Sequence, residues 1–237
     1  MDFADFAKDK LWAITPEAFD TILRQVHEFK FDAQEAATIA EIRASIPARG
    51  GYALQDGIAV IDVAGPLSKR LGFMSFFFGG TSYEGISNAF KAALADSKVN
   101  GIALRIDSPG GTLGGLDEVA SLIFNARGTK PVVAFAEGAM TSAAYWIGSA
   151  ADRVVSQRMA VVGSIGVLIV HADWSEWNKR VGVNVTYLTA GKYKALGNPD
   201  EPLSELARQL SWLRDELASE TRRCPSTSSS EVLPLLV

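Results

Sequence analysis

The hydrophobic positions of this chain change period near residue 57. Before that point Phe19, Ile22, Leu23 and Val26 recur at helical spacing. They follow Thr15-Pro16-Glu17, where a capping hydroxyl, a first-turn proline and an acidic first turn mark a helix start. The stretch 33–46 repeats the spacing, so residues 1–47 read as helical and Pro47-Ala48-Arg49-Gly50-Gly51 as a linker. From 57 onward, short β-branched runs alternate with amphipathic stretches. GIAVIDVAG (57–65), NGIALRIDS (100–108) and PVVAFAEG (131–138) read as buried strands, and 82–96, 113–127 and 142–151 as helices. RVVSQ (153–157), GSIGVLIV (163–170) and VNVTYLTAG (183–191) are further apolar runs, with a helix over 173–181 between the last two. Strand–helix–strand alternation with short connections predicts βαβ units and a mainly parallel sheet, hence an α/β protein. Residues 204–223 read as an amphipathic helix, and CPSTSSSEVLPLLV after it, with a Ser/Thr cluster and no periodicity, as a frayed tail.

Composition narrows the chemistry. The 237 residues suffice for one sizeable domain or two small ones, and 48% apolar against 21% charged residues call for a packed core. A net charge of −4, from 23 basic and 27 acidic residues, offers no cationic field for nucleic acid. The single Cys224 excludes an intramolecular disulfide and a Cys-rich zinc site, and His27 and His171 are too few for a three-histidine metal centre. No metal or cofactor is called for. Any chemistry then rests on Ser, Thr, Lys, Asp, Glu or backbone amides. The N-terminus, MDFADFAKDKLW, has no basic-then-apolar leader, and the apolar run 71–78 is far short of the ~20 residues that cross a bilayer. The expectation is a cytoplasmic protein with no membrane anchor.

Three features invite chemistry. Ser108-Pro109-Gly110-Gly111 lies between a strand and a helix, where bare glycine amides can face an oxyanion or a phosphate; an ordinary tight turn is the alternative. Thr141-Ser142-Ala143-Ala144 lies at another strand–helix junction. A serine there is either a helix cap or a nucleophile whose neighbouring amide faces the same pocket, with small alanines admitting a substrate backbone. Gly191-Lys192-Tyr193-Lys194 lies in a loop after an apolar run. A lysine is a solvated charge unless burial lowers its pKa enough for it to act as a base. His171 could pair with Ser142, or hold a structural hydrogen bond, and His27 reads as a surface residue of the helical arm. The aromatic loop 71–78, with Phe76, Phe77 and Phe78, is too apolar for an ordinary surface and reads as a substrate groove or subunit contact.

In this order GIAVIDVAGPL (57–67), RIDSPGG (105–111), TSAAYWIGSAADRVV (141–155), VGSIGVLIVHADWSEWNKRVGVNVT (162–186) and AGKYKALGNPDEPL (190–203) resemble the S49 family of Ser/Lys peptidases, the signal peptide peptidase A group. The GNP element after the lysine is similar to the family's phage branch, the capsid-assembly proteases. The resemblance covers roughly residues 55–205. It implies a ClpP/crotonase-like fold of repeated ββα units over 51–205, flanked by a helical arm and linker (1–50) and by a C-terminal helix and tail (206–237). It implies Ser142 as nucleophile, Lys194 as general base, Ser164 as the serine that orients the lysine, Gly111 and Ala143 as oxyanion-hole amides, and Gly110 as the residue shaping their turn.

The function so implied is a serine endopeptidase that cleaves scaffold or portal-type proteins in phage capsid maturation, as a homo-oligomeric ring in host cytoplasm or procapsid. Protein and peptide substrates are the expected partners, with no nucleic acid. The family's N-terminal anchor is absent from this sequence, which favours the phage reading. The tail after 223 departs from the family, and the expectation is a truncated subunit. The alternatives are a soluble signal-peptide-peptidase-like protease, an acyl-CoA-binding homologue of crotonase type, and an inactive capsid component.

Overall fold

The computed structural model describes residues 12–28, 51–70, 80–169, 171, 173–190 and 195–209. The arm contributes a strand, β1 (Trp12–Ile14), and a helix, α1 (Pro16–Glu28). The helix begins where expected, with the Thr15 hydroxyl accepting the Ala18 N–H at 3.3 Å. Residues 12–14 are extended, not helical as the periodicity suggests. Pro16 is the reason: its ring bars the residue before it from the α region, so the helix cannot run back through Thr15. The second helical stretch of the arm, 33–46, lies outside the described residues, as do the C-terminal helix beyond 209 and the tail.

β2 (Ala53–Gln55) and β3 (Ile58–Ala64) form a hairpin, and the chain then crosses to a second sheet through β4 (Leu67–Ser68) and β5 (Thr81–Ser82). α2 (Tyr83–Ala95) follows, capped by the Ser82 hydroxyl, which accepts the Gly85 N–H at 3.0 Å. The excursion repeats with β6 (Gly101–Ser108), β7 (Gly110–Thr112) and α3 (Leu116–Asn125). Then come β8 (Val132–Thr141), α4 (Ala143–Ser149), β9 (Arg153–Ser156), β10 (Val161–Gly163) and α5 (Ser175–Val181). The larger sheet runs β10-β8-β6-β3-β2, parallel except for β2, with β9 beside the first half of β8 and β10 beside its end. The smaller sheet runs β1-β7-β4-β5. This is a mixed α/β fold in which the path large sheet, small sheet, helix occurs twice.

The strands bury one face only. Ala59, Ile61 and Val63 of β3 and Leu104 and Ile106 of β6 point inward onto Ile86 and Phe90 of α2 and Ile123 of α3. Each such aliphatic or aromatic side chain contributes roughly 1.5–3 kcal/mol. The opposite face carries the exposed pair Arg105–Asp62, two bonds of 2.7 and 2.9 Å, so among the described residues the helices cover a single side.

Two expectations are corrected here. The apolar run 163–170 does not form a strand: the strand before it, β10, ends at Gly163. Gly163 (φ 123°) and Ser164 (φ 52°) are consecutive residues at positive φ, and no strand continues through such a pair. The run 183–191 forms no strand over its described part, because an apolar run becomes a strand only beside a partner strand, and none adjoins it among the described residues.

Candidate active site

β8 runs three residues past its expected end and delivers Ser142 directly from the large sheet. A register shift opens at Asp107, between the β6–β8 pairs at Ile106 and Ser108, and the Asp107 carboxylate accepts the Ala139 N–H there at 2.9 Å. Gly138 leaves room for that carboxylate: a Cβ there would lie 2.5 Å from the Asp107 Oδ1, and the Asp107 side chain would have to move.

Ser142 then takes φ 55°, ψ −115°, a conformation foreign to L-residues that typically costs about 1–3 kcal/mol. Main-chain bonds hold it there. Its N–H donates to the Gly163 carbonyl at 2.8 Å and its carbonyl accepts the Trp146 N–H at 3.0 Å. The hydroxyl makes no cap bond, and its contact among the described residues is a long one, 3.5 Å to the Gly166 carbonyl. The serine therefore sits in the cap position without acting as the cap. It is 6% exposed, with Ala143 and Ala144 fully buried after it. Ala143 N–H is the first of α4 and has no acceptor within the helix by position.

Thr141 and Gly163 are the last paired residues of β8 and β10, and Ser142 and Ser164 are the residues that follow that rung on each strand, both at positive φ. β7 completes the wall. Ser108 pairs with Met140, and the Thr141 hydroxyl donates to the Ser108 carbonyl at 3.4 Å. Gly110 (φ 101°) turns the chain, its N–H donating to the Ser108 hydroxyl at 3.2 Å. Gly111 passes so close to β4 that a Cβ would fall 1.9 Å from the Leu67 carbonyl oxygen. The glycine pair thus forms a strand inside a sheet, more than a tight turn.

Two residues that sequence reasoning missed hold this arrangement. Tyr83, buried, donates its hydroxyl to the Thr112 carbonyl at 2.6 Å and anchors β7; burial pushes its pKa well above the usual tyrosine range. Arg127 donates to the carbonyls of Ala150 (2.9 Å), Ser149 (3.1 Å) and Ala151 (2.6 Å), tying the C-terminal end of α4 to α3. Its guanidinium also lies 4.4 Å from the Phe124 ring centroid. A β-turn-like arginine after a helix and a tyrosine after a cap carry no local signal of these distant partners.

His171 Nε2 is buried and has no hydrogen-bond partner among the described residues. Lys192 and Lys194, and the aromatic residues Phe76, Phe77 and Phe78, lie outside the described residues. Among the described residues, no cluster of three metal-ligating side chains occurs, and no helix is long and apolar enough to cross a membrane.

Residues 125–216 match the family model of peptidase family S49. The resemblance to that family holds. Ser142 and Ser164 lie inside the matched stretch, and the 57–67 and 105–111 elements precede it. The head-tail preconnector protein GP5 of Enterobacteria phage P21 is 40% identical over 158 residues, covering 67% of this chain and 32% of the relative. The capsid assembly protease C of Escherichia phage lambda is 35% identical over 158 residues, covering 67% of this chain and 36% of the relative. The chain thus spans about a third of the length of these two relatives. Among solved structures, an enoyl-CoA hydratase/isomerase family member matches 56% of this chain and 52% of its own, with 19% identity and a TM-score of 0.39.

Proposed function

We propose that this chain is a serine endopeptidase with a Ser142/Lys194 dyad, acting on scaffold or portal-type proteins during phage capsid maturation. The observation that carries the proposal is Ser142 itself. It is a serine at a costly backbone conformation, its hydroxyl released from capping, directly after the rung that pairs Thr141 with Gly163, the residue before Ser164. Strain of this kind persists where the surrounding structure fixes it, and it clusters at functional sites. The names of the two phage relatives supply the biological setting.

In the mechanism, a neutral Lys194 amine, oriented by the Ser164 hydroxyl, takes the proton from Ser142 Oγ as that oxygen attacks the peptide carbonyl. The N–H groups of Ala143 and Gly111 receive the developing oxyanion. The lysine returns the proton to the leaving amine. Water, deprotonated by the same lysine, then releases the acyl group from Ser142. A lysine base requires a desolvated amine, and the single chain leaves Ser164 exposed. Enclosure by further copies of the chain supplies the missing cover. Met159, Val161, Ile165, Trp177 and Leu188, all in the stretch 159–188, are exposed in the single chain, which suits a homo-oligomer that covers them.

Cleavage of an unfolded casein substrate by the full chain tests the reading. Ser142→Ala and Lys194→Ala are each expected to abolish it. Undiminished cleavage by either variant refutes the dyad.

A further inference from the structure

The small sheet ends on a strand that comes from far away in sequence. β1 pairs antiparallel with β7, Trp12 opposite Thr112, Ala13 opposite Gly111 and Ile14 opposite Gly110. Thr15 N–H extends the ladder by donating to the Pro109 carbonyl at 3.2 Å. That bond sets the phase. In an antiparallel ladder, pairs that exchange both bonds alternate with pairs that exchange none, so Thr15–Pro109 makes Ala13–Gly111 the next bonded pair. The Gly111 N–H therefore points at the carbonyl of Ala13. Leu67 lies on the other side of Gly111, so β1 covers the one open edge of β7.

We propose that this edge of β7 is a docking rail for an extended peptide, and that residues 12–14 occupy it as an internal stand-in for substrate. The inference rests on the peptidase reading for its consequence, but the rail itself is a matter of backbone geometry. Strand addition to an open edge takes its affinity from main-chain bonds and tolerates many sequences, which suits an enzyme that cuts unfolded or extended protein. Gly111 has no side chain to hold a visiting strand away. Ile14, paired opposite Gly110, is 3% exposed, so the docked strand also buries an apolar side chain. Three residues of ladder on a sheet edge are a weak hold, weak enough to be exchanged for another strand. While β1 is in place, the Gly111 N–H is committed to Ala13 and is withheld from an oxyanion. The arm is thus both inhibitor and template. An incoming chain must displace it, and takes up the same antiparallel direction.

The test uses the full chain carrying Ala13→Pro, which removes the N–H donated to Gly111, or Ile14→Asp, which puts a charge into the apolar seat. Two quantities are read: amide hydrogen exchange at Gly111, and the rate of Ser142 labelling by a fluorophosphonate. The synthetic peptide DKLWAITPE, residues 9–17, is then added to each variant. Both variants are expected to exchange faster at Gly111 and to label faster, roughly tenfold if the resident strand leaves the site open about a tenth of the time. The peptide is expected to restore protection and to slow labelling. Unchanged exchange in both variants overturns the docked strand. Faster exchange with unchanged labelling overturns the inhibitory role. Failure of the peptide to restore protection overturns the rail. Absence of any Ser142 label, in parent and variants alike, counts against the peptidase reading instead, and peptide-restored protection at Gly111 still decides the rail.

Discussion

Ser142 donates its backbone N–H to the Gly163 carbonyl at 2.8 Å, one step beyond the last rung of the β8–β10 ladder. The residue whose hydroxyl makes a long contact, 3.5 Å to the Gly166 carbonyl, is therefore pinned by its main chain. The strand that pins it also delivers Ser164. Ser142 leaves the ordinary backbone regions, Ser164 takes a positive φ of 52°, and the Gly163 carbonyl that precedes Ser164 holds the Ser142 N–H.

Ser142→Gly relieves the strain that this arrangement stores. Glycine at φ 55° carries none of the Cβ clash, worth about 1–3 kcal/mol, and gives back about 0.5–1 kcal/mol through its freer unfolded chain. The variant is expected to be more stable by about 1 kcal/mol and to lack peptidase activity. Paired denaturant melts and casein assays check both halves of the statement.

Gly111→Ala is expected to fail for a reason of space. Its Cβ falls 1.9 Å from the Leu67 carbonyl oxygen, a backbone atom that cannot swing aside. β4 and β7 must separate, at a cost of about 3 kcal/mol or more. A clear loss of thermal stability with loss of activity is the expected outcome, measured by calorimetry.

Tyr83→Phe strands the Thr112 carbonyl in the interior. The expected loss is about 1–3 kcal/mol, with slower Ser142 labelling because β7 loses its anchor. The pH dependence gives a second check. Burial raises the Tyr83 pKa, so above about pH 10 the unfolded chain sheds a proton that the folded chain keeps. Stability from this group is complete below that pH and falls as pH rises past it. Urea melts across alkaline pH are expected to show a shallower fall for Tyr83→Phe than for the parent.

Arg127→Lys is expected to behave as a loss. An ammonium cannot reach three carbonyls at the end of α4 as the guanidinium fork does, nor stack on Phe124. A decrease of about 2 kcal/mol, with slower labelling of Ser142 at the other end of the helix, is the expected result, since charged hydrogen bonds each contribute about 1.5–3 kcal/mol. Melting curves and labelling rates measured side by side check it.

Much of this was legible because it is local. The β-branched runs give β3 and β6 within a residue or two, Ser82 announces α2, and Thr15-Pro16 announces α1. α3 starts at Leu116, later than its periodicity suggests, because Gly115 takes φ 94°. What escaped is long-range. Nothing in Trp12-Ala13-Ile14 signals a partner strand almost a hundred residues away, and nothing near Asp107 signals the amide it satisfies on β8. Ser142 and Ser164 could be matched to a family motif, but only the β8–β10 register shows that the residues before them, Thr141 and Gly163, are paired. Lys194 and the loop with Phe76, Phe77 and Phe78 lie outside the described residues, so their roles rest on the resemblance and on the experiments above.

The most direct measurement is the site and rate of fluorophosphonate labelling in the full chain, mapped by mass spectrometry across pH. The expected result is a single adduct on Ser142, faster as pH rises and a base is freed, absent from Ser142→Ala and strongly slowed in Lys194→Ala. An adduct on another serine, or labelling of Ser142 that is indifferent to Lys194, contradicts the proposed dyad.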